Sequence, residues 1–176
     1  MLKKSLAALA ITALLTGTAQ AQRNYVGGNL ALLDYSEDTV SDDASLTGLV
    51  GRFGVFINRN LAGEVRFGVG LGHDTLTINN LDADIELDYM FGGYLRGVFP
   101  INKSIAPYII GGITHGELTA SVAGANYKLS DKDISFGAGV DLALLQGIGL
   151  NFEYMNYIST GGVDIDALTV GITKKF

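Results

Sequence analysis

The fold is encoded most plainly in residues 61–71, whose sequence LAGEVRFGVGL alternates along its whole length. Apolar side chains recur at every second position, whereas Glu64 and Arg66 fall on the opposite face together with glycines. Successive side chains of a β-strand point to opposite sides of the sheet, so a period of two predicts a strand with one apolar face.

Eight segments of the chain carry this kind of pattern, and no segment predicts a capped amphipathic helix. The predicted strands cover residues 24–33, 45–56, 61–72, 84–99, 104–116, 133–145, 148–158 and 166–176. Short turns are expected at 58–60, 100–103 and 146–147, and longer polar loops at 34–44, 73–83, 117–132 and 159–165. An up-and-down meander with this alternation places all of its short turns at one end.

The first 21 residues have the features of a secretory signal peptide. Lys3 and Lys4 precede an apolar run at residues 6–15, and residues 19–21 supply a small-x-small cleavage pattern. The run is shorter than the roughly 20 apolar residues that cross a bilayer, which disfavours the alternative of a membrane-tethered helix. We expect export through the Sec pathway, removal of residues 1–21, and a single domain over residues 22–176.

Composition excludes several classes of protein. The 176 residues include 24 Gly, 2 Pro and no Cys, and 48% are apolar but only 17% charged. So apolar a chain is not a disordered one, and the absence of Cys excludes disulfides and thiolate sites. The net charge of −6 argues against a nucleic-acid partner.

The alternation alone allows either a soluble barrel around a ligand or a membrane barrel with its apolar face outward. Glycines lie among long charged side chains on the polar face, which suits the narrow interior of an eight-stranded barrel. We therefore predict an all-β, eight-stranded, antiparallel, up-and-down transmembrane barrel. Aromatic residues near the predicted strand ends fit interfacial girdles; they are Tyr89, Phe91, Tyr94, Phe99, Tyr108, Phe152, Tyr154 and Tyr157.

The polar faces predict a charged interior. Its candidate residues are Arg52, Glu64, Arg66, Glu86, Asp88, Arg96, Asp141, Glu153 and Lys175. Glu64 and Arg66 share one face of a strand, and arginines lie on both neighbouring strands, which favours an ion-pair network. Such a network either plugs the barrel or gates a narrow pore, and the small lumen of eight strands favours the plug.

The predicted long loops are rich in carboxylates. Five of them fall within ten residues: Asp34, Glu37, Asp38, Asp42 and Asp43. Their spacing does not match a calcium-loop motif, so we predict a solvated acidic surface and no metal site. Bridging by divalent ions to lipopolysaccharide phosphates and adhesion to a host surface remain alternatives.

The two histidines raise the question of catalysis. His115 precedes Glu117 and Ser121 near a predicted strand end, so a triad-like site is conceivable there. A polar rim is the simpler interpretation, also for His73 beside Asp74. We predict no catalytic or cofactor-binding residues and no cofactor, with a lipid A-modifying enzyme as a distant alternative.

Several segments together resemble the small eight-stranded outer-membrane barrels of Gram-negative bacteria, such as the OmpX, Ail and OmpA-domain group within the broader porin family. These segments are residues 25–30 (YVGGNL), 107–112 (PYIIGG), 151–154 (NFEY) and a final strand that ends at Phe176. The resemblance implies an outer-membrane location, periplasmic termini, and contact with lipid and lipopolysaccharide. It also implies recognition by the outer-membrane assembly machinery through Leu168, Val170, Ile172 and Phe176, with Lys174 standing where an apolar residue is commoner.

The resemblance says more about location than about activity. We expect a monomeric, non-enzymatic protein with a structural or surface-interaction role, with its loops available to a host or surface ligand. A narrow porin-like channel for small solutes is the alternative.

Overall fold

The computed structural model describes residues 24–37, 44–78, 81–122, 125–160 and 163–176. Strands are the only regular secondary structure of these residues, and none of them belongs to a helix that could cross a membrane. The strands are β1 (Asn24–Glu37), β2 (Ala44–Phe56), β3 (Leu61–Gly70), β4 (His73–Ile78), β5 (Leu81–Val98), β6 (Ile105–Val122), β7 (Ala125–Leu145), β8 (Ile148–Thr160) and β9 (Val163–Lys175). The predicted signal peptide, residues 1–21, lies outside the described residues.

The strands close into a barrel. Neighbours pair antiparallel in chain order, and β9 returns to pair with β1. β3 and β4, which are separated only by Leu71 and Gly72, both pair with β5 and together act as one barrel strand. The nine segments therefore form eight barrel strands, and the predicted all-β antiparallel barrel is confirmed.

A belt of apolar side chains covers the outside of the barrel. Phe67 is 57% exposed and Ile134 is 71% exposed, whereas the arginines on alternate positions are buried. The apolar faces therefore point away from the barrel axis, the inverse of a soluble barrel, and suit a lipid environment.

The start of β1, the end of β9 and the three short connections lie at one end of the barrel, called here the terminal end; the opposite end is the loop end. The backbone of Asn24 exchanges hydrogen bonds with that of Phe176 there. The side-chain oxygens of Asn58 and Asn102 each accept two backbone N–H bonds from the residues that follow, which stabilises two of the turns. The third turn is closed by Gly147 with φ of 81°. The predicted short turns are confirmed.

The strands extend further toward the loop end than predicted. Of residues 117–132, expected to be a loop, 117–122 belong to β6 and 125–132 to β7, and the two stretches pair along their whole described length. Residues 125–132 of β7 are exposed on both faces, so the contrast between a lipid face and a packed lumen is lost there, although backbone pairing with β6 continues. Sequence periodicity therefore marks the lipid-facing part of each strand and misses its extension.

A register shift between Leu87 and Tyr89 changes the face of β5. A bulge inserts one residue into one strand, so alternation reverses across it. Ile85 and Leu87 are consequently buried inside the barrel, whereas Tyr89 and Phe91 remain on the outer face. A strict period of two would put all four on one face, and the bulge breaks it.

Three of the predicted girdle residues lie inside the barrel. Tyr94, Tyr108 and Tyr157 are almost completely buried because they occupy inward positions of their strands. The outer surface instead carries Phe91, Phe99, Phe152 and Tyr154, all at least 42% exposed. The girdle interpretation is corrected for the three tyrosines.

Candidate functional site

The interior of the barrel is built from large side chains opposite glycines. Tyr25 pairs with Gly54, and a Cβ atom on that glycine would lie 2.1 Å from the tyrosine ring. Tyr108 pairs with Gly139, where a Cβ atom would lie 2.5 Å from the tyrosine. The glycine excess of the sequence therefore provides space for long polar side chains in a narrow lumen.

Buried ion pairs link three strands across this lumen. Glu64 accepts hydrogen bonds from Arg52 at 2.8 Å and from Arg66 Nε at 2.6 Å. The two terminal nitrogens of Arg66 also donate hydrogen bonds to the two carboxylate oxygens of Glu153, at 2.6 and 2.7 Å. Such a two-pronged contact fixes the guanidinium plane as well as its charge.

Two neutral residues close these pairs into a ring. The Tyr108 hydroxyl donates to Glu153 at 2.7 Å and accepts a bond from Asn151 at 2.8 Å. The oxygen of the same asparagine accepts a bond from Arg52 at 2.6 Å. We call this hydrogen-bonded circuit the polar ring; its members are Arg52, Glu64, Arg66, Glu153, Tyr108 and Asn151.

Further side chains tie the polar ring to the remaining strands. Asp141 accepts bonds from Arg96 at 2.7 Å and from Asn151 at 2.9 Å. The Arg96 guanidinium lies 3.5 Å from the centre of the Tyr108 ring, within cation–π range. Asn29 on β1 donates to Asn151 and to Thr169 on β9. Every barrel strand thus contributes to one connected network.

The charges of the network balance. Three arginines face three carboxylates, and the side chains of Glu64, Arg66 and Glu153 are at most 2% exposed. A buried charge without a partner is strongly unfavourable, whereas paired and hydrogen-bonded charges are tolerated. The lumen therefore carries charge without a net sign.

An apolar layer fills the lumen between the polar ring and the loop end. Its buried side chains belong to Leu33, Leu46, Val50, Ile85, Leu87, Met90, Leu118, Met155, Ile158 and Ile165. A cavity of about 20 Å³ within this layer has room for about one water molecule. We call these side chains the apolar layer.

A larger cavity opens at the terminal end. It has a volume of about 270 Å³ and is lined by Lys103, Ala106, Asp141, Thr173 and Lys175 among others. Asp141 contributes both to its wall and to the polar network, so the network begins where the cavity ends. The interior is thus an open vestibule, a polar ring and an apolar layer in series.

Comparison with known proteins follows this architecture. A sequence profile described as "Outer membrane protein beta-barrel domain" matches residues 5–176. The chain belongs to this family. Membership places the barrel in the outer membrane; no curated protein sequence matches the chain.

Solved structures share the fold of this outer-membrane barrel at low identity. Ail of Yersinia pestis is 16% identical with a TM-score of 0.66, covering 89% of this chain and all of that one. Neisserial surface protein A is 18% identical with a TM-score of 0.66, covering 87% and 97%. OprG of Pseudomonas aeruginosa is 12% identical with a TM-score of 0.61, covering 88% and 96%. At these identities the likeness concerns the fold alone.

Three residues assigned to the charged interior by the sequence take no part in the polar network. Glu86 is exposed on the outside because the β5 bulge reverses its face. Asp88, at the bulge, accepts a bond from Thr119 and lies 3.6 Å from Lys128. Lys175 lies at the terminal end with its ammonium 5.8 Å from the Phe56 ring, outside the polar ring.

Lys128 contacts two carboxylates on the outer surface of the barrel. Its ammonium donates to Glu117 and approaches Asp88. The hydrogen bond to Glu117 raises the pKa of the lysine above its ordinary value. This exposed cluster is separate from the lumen and lies near the loop end.

The candidate catalytic residues on β6 do not come together. The His115 ring packs edge-on against Phe91 at 5.2 Å, and Glu117 is bound to Lys128. Ser121 lies six residues after the histidine, which is about 20 Å along a strand. Its hydroxyl donates to Asn126. His73, also exposed, pairs across the sheet with Glu86.

The acidic segment and the terminal strand are described in part. Asp34 accepts a bond from the Ser45 hydroxyl at 3.2 Å, while Asp38, Asp42, Asp43 and the side chain of Glu37 lie outside the described parts. Three residues of the predicted assembly signal face outward on β9: Leu168, Val170 and Ile172. Phe176 completes the pairing with β1 through its backbone.

Sequence reasoning missed the uncharged members of the network. Asn151 lies two positions before Glu153 and so shares its inward face. Asn29 shares the inward face of β1 with Tyr25, whose hydroxyl donates to Glu64. The signal that could have found them is their place on the inward face of an alternating strand. A search limited to ionisable side chains passes over it.

Proposed function

We propose that this protein is a closed, non-enzymatic outer-membrane barrel that holds an acidic surface at its loop end. The observation that carries the proposal is the filling of the lumen at two successive levels by the polar ring and the apolar layer. A barrel built to conduct solutes would leave a hydrated path through these levels. The terminal end, with its short turns, faces the periplasm in this proposal.

The charge of the loop end indicates which ligands it suits. Its described carboxylates include Asp34, Asp74, Asp84, Asp131 and Asp164, whereas Lys128 and Lys132 are its described lysines. Ail has been solved in complex with the heparin analogue sucrose octasulfate, a polyanion. An acidic surface repels such ligands, so we propose cationic partners, or anionic ones bridged by divalent ions.

Planar-bilayer recording tests the closed lumen. Purified, refolded protein should give no stable conductance steps in symmetric potassium chloride, because two filled layers block the path. A channel-forming outer-membrane barrel, prepared in the same detergent, is the positive control. Reproducible, ion-selective steps from the wild-type protein would overturn the proposal in favour of a narrow porin.

A further inference from the structure

Lys174 places a positive charge on the lipid-facing surface. It follows Leu168, Val170 and Ile172 on the outward face of β9 and is itself exposed. Its ammonium donates to the backbone carbonyl of Gln146 at 2.9 Å, in the neighbouring turn. A lysine at the edge of an apolar belt extends its ammonium toward the lipid headgroups.

A groove in the apolar belt begins at this lysine. Its volume is about 670 Å³, and its lining includes Val26, Gly28, Leu150, Ile172 and Lys174. The groove runs over β8, β9 and β1 and is apolar apart from the lysine. One end of the groove is therefore charged, and the rest suits a hydrocarbon chain.

Two paired glycines deepen the surface beside the groove. Gly28 on β1 lies directly opposite Gly51 on β2, between Ile172 and Phe67 in the same row. A Cβ atom on Gly28 would have no atom within 4 Å, so the space next to its backbone is open. We call this gap the Gly28–Gly51 notch: the two glycines have no side chains there, and neighbouring side chains do not fill the space at Gly28.

The charged side chains that reach the surface at the terminal end are all basic among the described residues. They are Arg59, Lys103, Lys174 and Lys175. The carboxylate nearest to this end, Asp141, is turned inward and paired with Arg96. The terminal end therefore complements negative headgroups.

We propose that the groove binds one anionic phospholipid, with an acyl chain over the Gly28–Gly51 notch and the phosphate at Lys174. The positive charge of Lys174 favours an anionic headgroup. The open notch gives an acyl chain more contact area than a flat surface would. The site lies outside the lumen, so it does not depend on whether the barrel conducts.

Native mass spectrometry of the refolded protein tests the site. The protein is released from micelles containing equal amounts of phosphatidylglycerol and phosphatidylcholine. The wild type should retain one phosphatidylglycerol molecule in preference to phosphatidylcholine. Lys174→Gln should lower the ratio of phosphatidylglycerol-bound to lipid-free protein about fivefold, the effect of one lysine at an anionic surface. Lys103→Gln, in another turn at the same end, is the matched charge control and should retain the lipid.

A second pair of variants tests the notch separately. Gly28→Leu should fill the open space and displace the acyl chain, which lowers retention of the lipid. Gly63→Leu is its control, because a Cβ atom there also has no atom within 4 Å but lies away from the groove, on β3. Heat-modifiable migration on gels verifies that every variant is folded.

Each outcome decides the proposal. Equal retention of the two lipids by the wild type, or undiminished retention by Lys174→Gln, would overturn it. Loss with Lys174→Gln but not with Gly28→Leu would overturn the acyl-chain position. A dimer mass that disappears in Gly28→Leu would show that a second copy of the chain occupies the groove instead.

Discussion

Arg66 holds more of the barrel interior together than its neighbours do. It bonds Glu64 on its own strand and both carboxylate oxygens of Glu153 across the lumen. Its guanidinium also lies 5.0 Å from the centre of the Tyr94 ring. Each of these contacts is shielded from water, so the lumen offers no solvent to replace a lost partner.

Replacement of this residue should therefore be costly. Arg66→Ala leaves Glu153 buried without its guanidinium, and we expect a loss of about 3–5 kcal/mol in the free energy of unfolding. Lys128→Ala, which removes an exposed, solvent-screened ion pair, should cost far less. Guanidinium unfolding in detergent, followed by far-ultraviolet circular dichroism, measures both. Equal losses would contradict a stabilising role for the polar ring.

The bulge in β5 shows how one inserted residue changes the role of a whole strand segment. On the terminal-end side of the bulge, Tyr89 and Phe91 face outward; on its loop-end side, Ile85 and Leu87 point into the apolar layer. The hydrophobic alternation of residues 85–91 is unbroken in sequence, although the side chains change face within it. Alternation defines two faces but not which of them points inward.

The bulge predicts very different losses of stability for substitutions at two adjacent positions. Ile85→Glu places an unpaired carboxylate in the apolar layer and should cost several kcal/mol, about 3 or more. Glu86→Leu changes an exposed position and should alter stability by no more than about 0.5 kcal/mol. Folded yield on heat-modifiability gels and unfolding midpoints compare the two. A larger effect of Glu86→Leu would show that β5 lacks the reversal.

Sequence alternation located the strands correctly within the lipid belt but missed their extensions beyond it. Residues 61–71 reveal their strand because lipid on one side and a packed lumen on the other impose alternation. Residues 125–132 of β7 are exposed on both faces, so no such contrast exists there. The bulge depends on backbone geometry and has no signature in side-chain polarity.

The whole molecule closes its lumen twice, by different physical means. The polar ring fills the cross-section with paired charges, and the apolar layer fills it with hydrocarbon. The charged positions Arg52, Glu64 and Arg66 followed from alternation along single strands. Their partners Tyr108 and Asn151 come from β6 and β8, and a contact across the barrel is set by closure of the sheet.

Two barriers in series predict that loss of one does not open the barrel. The double variant Arg66→Ala with Glu153→Ala removes the two-pronged contact and one charge of each sign. Glu64 stays paired with Arg52, so no charge at the centre loses its only partner. It should remain non-conducting in planar bilayers because the apolar layer is intact. Stable conductance steps from folded double variant would show that the polar ring alone seals the lumen.

The separation of charge between the two ends gives the barrel an electric dipole along its axis. The polar ring between the ends is neutral and does not weaken this dipole, which points from the acidic loop end toward the basic terminal end. A voltage across a bilayer therefore lowers the energy of one of its two insertion orientations relative to the other. The same residues that set its surface chemistry therefore also set how the protein responds to an electric field.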